Sequence, residues 1–117
     1  MTFDFFFEQL SQGNTMIDEF CFYFKSDANE TKHFIGYIPD RRNDNNSTQN
    51  AKPYWAGLCD IPDGCEFATA KELTDAKIYC GKSLRELWDE IVICSIAALS
   101  VEDWMTVYNK CSISYDT

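Results

Sequence analysis

The most reactive side chains in this 117-residue chain are one histidine, His33, and six cysteines, Cys21, Cys59, Cys65, Cys80, Cys94 and Cys111. Nucleophilic catalysis needs a serine or cysteine with a base to activate it. His33 lies inside an alternating apolar stretch and no G-x-S-x-G elbow occurs, so it reads as a structural side chain. The cysteines include no C-x-x-C pair, and the closest spacing is Cys59 to Cys65. Structural zinc sites are usually built from two close ligand pairs, so no metal is assigned and the cysteines read as free thiols. Asp60 and Asp63 flank "IP" and could approach a cation. A calcium loop, however, needs oxygen ligands where Cys59 and Ile61 stand, and "DIPDG" reads better as a turn. No catalytic residue and no cofactor is assigned.

Gly81-Lys82-Ser83 imitates the end of a phosphate-gripping loop. That loop requires G-x-x-x-x-G-K-[ST], but Ala76 stands where the first glycine belongs, and Ile78 and Tyr79 stiffen a backbone that must curl around phosphate. A turn at Gly81 followed by a helix cap at Ser83 accounts for more residues, because Glu86 sits at the third helical position and completes a capping box. Leu84, Leu87, Trp88 and Ile91 then follow at helical spacing, with Arg85, Glu86, Asp89 and Glu90 outward.

The elements around these residues follow from periodicity. Phe3, Phe6, Phe7 and Leu10 form one face of an amphipathic helix that stops near Gly13-Asn14. "EFCFYF" alternates and pairs with "HFIGYI" through the polar link "KSDANET". Residues 39–53, "PDRRNDNNSTQNAKP", read as a long mobile polar loop in which Arg41 and Arg42 are solvated charges. "YWAGLCDI" and "CEFA" read as strands about the "PDG" turn, with Tyr54 and Trp55 as core residues in preference to binding anchors. Thr69 with Glu72, Ser83 with Glu86, and Ser100 with Asp103 mark three helix starts. "AKIYC" is short and β-prone, and "IVICSIAAL", residues 91–99, fits either strand or helix. The last helix turns Val101, Trp104, Met105 and Tyr108 inward. The sum is a single α+β domain: a mainly antiparallel sheet of four or five strands packed against several short helices.

Charge narrows the function. Nineteen acidic residues face ten basic ones, a net charge of −9, and residues 54–117 hold eleven of the acids with five of the bases. Such a field repels nucleic acid and anionic membrane and attracts basic partners. "MTFDFFFEQL" lacks a basic leading region and carries Asp4 and Glu8 within its apolar stretch, unlike a secretory signal, so a cytoplasmic protein is expected.

The stretch "YWAGLCDIPDGCEFATAKELTDAKIYCGKSLRELWDEI" with the later "DWM" resembles bacterial immunity proteins of contact-dependent growth inhibition and related polymorphic toxin systems. Trp55, Asp60, Gly64, Phe67, Leu73, Ile78, Gly81, Ser83, Leu84, Trp88, Asp103 and Trp104 carry the resemblance, over roughly residues 54–105. It implies a stoichiometric inhibitor that binds the C-terminal toxin domain of a sibling cell's effector, such toxins often being nucleases with basic substrate sites. On that expectation the toxin-binding residues are the outward acids Asp60, Asp63, Glu66, Glu86, Asp89, Glu90, Glu102 and Asp103. Two alternatives are a small carboxylate-dependent enzyme and an acidic regulatory protein that mimics DNA.

Overall fold

The structure, a computed structural model, describes residues 1–12, 17–38, 52–57 and 65–115, with side chains through residue 110. Helix α1 (Phe3–Ser11) starts where the Thr2 hydroxyl accepts the Phe5 amide at 3.1 Å and ends at Gln12, buries Phe6, Gln9 and Leu10, and carries Asp4 favourably in its first turn. Strands β1 (Glu19–Phe24) and β2 (His33–Tyr37) form the expected hairpin. The Asp27 carboxylate organises its link, accepting the amides of Asn29 at 2.9 Å and Thr31 at 3.1 Å.

Strands β3 (Tyr54–Gly57) and β4 (Cys65–Phe67) continue the meander, and β5 (Ile91–Ile96) pairs with the free side of β1. The result is a five-stranded antiparallel sheet in the order β4-β3-β2-β1-β5. The α+β expectation is met. The loop expected at 39–53 lies, except for its last two residues, outside the described residues, as does the "PDG" turn.

Register fixes which face each side chain takes. Phe20 stands opposite Ile35 on one side and Ile96 on the other, and Ile35 stands opposite Ala56, which pairs with Cys65. All five are buried and point to the helical layer. There, Phe6 of α1 meets Phe20 at 4.6 Å, and Trp88 packs over both at 4.8 and 6.0 Å. Replacing a fully buried phenylalanine such as Phe20 with alanine would cost about 3–5 kcal/mol.

Helix α2 (Ala70–Asp75) packs against α1, β3 and β4, whereas helix α4 (Val101–Tyr115) packs against β5. Trp104 of α4 is buried and meets Phe5 edge to face at 6.1 Å. The three cap hydroxyls accept as the spacing requires: Thr69 from Glu72, Ser83 from Glu86 and Ser100 from Asp103, each at 3.1 Å. Only Ser83 closes the full box, since the Glu72 carboxylate reaches back to Ala68 instead of to its cap. The Gly81-Lys82-Ser83 triplet is thus a turn and a cap.

Four expectations need correction. "AKIYC" is not a strand; Tyr79 and Lys82 make one isolated bridge across Cys80 and Gly81. The stripe ending at Ile91 is not one helix. Helix α3 stops at four residues (Leu84–Leu87), passes into a 3₁₀ turn (Trp88–Glu90) and becomes β5, because pairing with β1 satisfies the backbone from Ile91 onward. Trp55 does not join the core with Tyr54; it lies half-exposed on the opposite face of the sheet, beside Gly36. Finally, Cys65 is disulfide-bonded, whereas Cys21, Cys80 and Cys94 carry no disulfide. Which sulfur meets Cys65 depends on the path of the folded chain, which spacing alone does not encode. No helix among the described residues is long and apolar enough to cross a membrane.

Candidate functional site

The acids singled out by sequence do not form one cluster. Glu66 is exposed on β4, whereas Asp89 and Glu90 lead into β5 at the other edge of the sheet. Four strand spacings, roughly 19 Å, separate those edges. Glu86 is occupied: its carboxylate accepts the Ser83 amide at 3.2 Å and the Lys77 ammonium at 2.5 Å. Those contacts, Lys77 first and Ser83 second, hold it below the usual carboxylate range. Asp60 and Asp63 lie outside the described residues.

The remaining four share the β5 side of the molecule. Asp89 and Glu90 sit on the 3₁₀ turn, and Glu102 and Asp103 occupy the first turn of α4. A shallow cleft bounded by Asp89, Trp88 and Val101 connects the two segments. Among the described residues none of these four exposed carboxylates forms a salt bridge, whereas Asp75 is engaged by both Lys71 and Arg85 at 2.6 Å. Lys25 stands beside Asp89 but bonds its carbonyl oxygen at 2.9 Å, and the Lys25 amide bonds the Glu90 carbonyl at 2.8 Å. That pair of bonds fastens the 3₁₀ turn to the end of β1 and leaves both carboxylates turned to solvent.

On the other side of the same turn lies a cleft of about 530 Å³, within the size range of ligand sites. Among the described residues Phe24, His33 and Tyr79 form its wall, Asp27 and Glu90 are its acidic lining residues, and Lys82 is its basic one. The three rings meet edge to face, Phe24 with His33 at 4.9 Å, Phe24 with Tyr79 at 5.4 Å and His33 with Tyr79 at 5.5 Å. His33 also stacks on Phe22 at 5.4 Å. Hairpin register builds half of this wall, since Phe22 and His33 are cross-strand partners.

The Tyr79–Lys82 turn builds the other half. Its two reciprocal backbone bonds measure 3.0 and 3.1 Å, and Cys80 and Gly81 both have positive φ, 54° and 80°, as a type I′ turn demands. A methyl group at Gly81 would meet nothing within 4 Å, so glycine serves the backbone angle there and not the space. Asp27 is held below the usual carboxylate range by the amides of Asn29 and Thr31, so it stays ionised at the cleft.

Periodicity assigned His33 and Phe24 to the hairpin and Tyr79 to a strand. No sequence pattern joined them to Asp27 and Glu90, because those residues meet only through the folding of β1, β2 and the turn. In chemical terms the cleft sets aromatic rings beside two acidic residues, a composition suited to an organic cation. It also brings the Cys80 thiol and the His33 imidazole to one cavity.

Comparison of the chain with protein-family models, with curated proteins and with solved structures returned no match.

Proposed function

We propose that this protein is an immunity protein: it binds the cationic C-terminal nuclease toxin domain of a contact-dependent inhibition effector and blocks it stoichiometrically, in the cytoplasm. The observation that carries this reading is the set of exposed carboxylates Asp89, Glu90, Glu102 and Asp103 beside one sheet edge, unbridged among the described residues. Carboxylates left without intramolecular bases keep their field for a partner, and such a field steers a basic surface into contact over about a Debye length. The separation of Glu66 from these four favours a local patch over the continuous ridge that a DNA mimic needs.

Co-expression with the toxin domain encoded immediately upstream tests the reading. Growth rescue together with co-purification is the expected result; failure of both removes it. A second reading, a small thiol-dependent enzyme, draws on Cys80 and His33 lining one cleft. Undiminished protection by Cys80→Ser would set that reading aside.

A further inference from the structure

We propose that the cleft walled by Phe24, His33 and Tyr79 receives an arginine side chain of the protein's partner. The inference rests on the reading of the protein as the inhibitor of a basic partner, and it names the group that this site recognises.

The wall selects for a flat, delocalised cation. Aromatic faces attract positive charge through the ring quadrupole, and a guanidinium combines that attraction with stacking and with a fork of donors for carboxylates. Among the described residues Asp27 and Glu90 line the cleft against Lys82, two acids to one base, which disfavours an anionic ligand. The Asp27 carboxylate accepts the Asn29 and Thr31 amides and also the Thr31 hydroxyl, which leaves one of its about four lone-pair sites for a guanidinium N–H.

The fold already uses this combination internally. The Arg85 guanidinium lies 4.5 Å over the Phe3 ring and 5.4 Å over Phe7, while its Nε donates to Asp75 at 2.6 Å. The cleft is lined by the same kinds of residue, aromatic rings and acids. Its walls are also preorganised. Cross-strand pairing sets Phe24 and His33, and the double backbone bond of the Tyr79–Lys82 turn sets Tyr79.

The test is an NMR titration of the isotope-labelled full chain with Nα-acetyl-arginine methylamide, alongside its citrulline counterpart, a neutral shape match. Saturable shifts of the Asp27, His33, Lys82 and Glu90 amides with arginine, and none with citrulline, are expected. Glu90→Gln should weaken binding about two- to fivefold and Lys82→Gln should strengthen it by a similar factor, the worth of one exposed charge contact. Both side chains are exposed, so both variants keep the fold. Absence of saturable shifts, equal binding of citrulline, or both substitutions acting in the same direction overturns the inference. Protection from the toxin without arginine binding removes the cleft inference and leaves the inhibitor reading intact; arginine binding without protection does the reverse.

Discussion

The indole of Trp55 lies against the bare α-carbon of Gly36, its cross-strand neighbour. A β-carbon at residue 36 would stand 2.8 Å from Trp55 Cζ2 and closer still to the Asp18 carbonyl oxygen. That oxygen accepts the Tyr37 amide at 3.3 Å, so it cannot retreat without losing the bond. Gly36→Ala should therefore destabilise the protein by about 2 kcal/mol or more. A denaturation midpoint within experimental error of the parent would show that the strand and the indole relax at no cost.

The turn between β5 and α4 is strained for its residues. Ala97 and Ala98 have φ of 52° and 67°, and reciprocal bonds of 2.8 and 2.9 Å join Ile96 to Leu99 around them. The left-handed region costs an alanine roughly 1 kcal/mol, whereas Asn-Gly is the favoured pair for this turn. The double substitution Ala97→Asn with Ala98→Gly should raise the unfolding free energy by about 1 kcal/mol. A lowered midpoint would contradict the turn assignment.

Ser83 is buried and closes the only full capping box among the described helices. Ser83→Ala should cost about 1 kcal/mol, while the nearby exposed Lys77→Ala should cost no more than a few tenths. Equal losses for the two would mean that the ion pair, not the cap, starts α3.

Acid should weaken the fold. The carboxyls of Asp27, Asp75 and Glu86 are all held below their ordinary values: Asp27 by the Asn29 and Thr31 amides, Asp75 by Lys71 and Arg85, Glu86 by Lys77 and Ser83. A lowered folded-state value contributes stability that is present above the unfolded value and is lost as pH falls through the folded one. The melting temperature should thus hold from neutrality to about pH 5 and decline below about pH 4, and Asp27→Asn should flatten that decline. A melting temperature that rises on acidification would reverse the assigned sign.

If the β5-side acids steer a basic partner, reversing them slows encounter without unfolding the protein. Glu102→Lys with Asp103→Lys should reduce the association rate with the toxin domain about tenfold at low salt, and Glu66→Lys should matter far less. Stopped-flow association at several ionic strengths reads this directly. A rate insensitive to both salt and charge reversal would exclude steering.

Much of this architecture was legible in the chain. Period-two alternation placed β1 and β2, because side chains on a half-buried strand must alternate between core and outer face. Helical spacing placed α1 and the inward face of α4, and hydroxyl–carboxylate pairs marked three helix starts, since orphan amides at a helix end need local acceptors. Ile91 was ambiguous for a physical reason: "IVIC" suits either state until a partner strand competes for its backbone, and β1 supplies that partner. Charge composition pointed to a basic partner, but it did not distinguish Glu86, engaged by Lys77 and Ser83, from Glu90, which forms no salt bridge among the described residues.

The sequence by itself thus determined the local elements, their caps and the sign of the surface, because each depends on residues only a few positions apart. Tertiary structure alone decided that Trp55 folds onto Gly36, that Cys65 joins a disulfide, and that Phe24, Asp27, His33, Tyr79 and Glu90 enclose one cleft. Those relations join residues far apart in the chain, and sheet register and backbone path, not local spacing, bring them together.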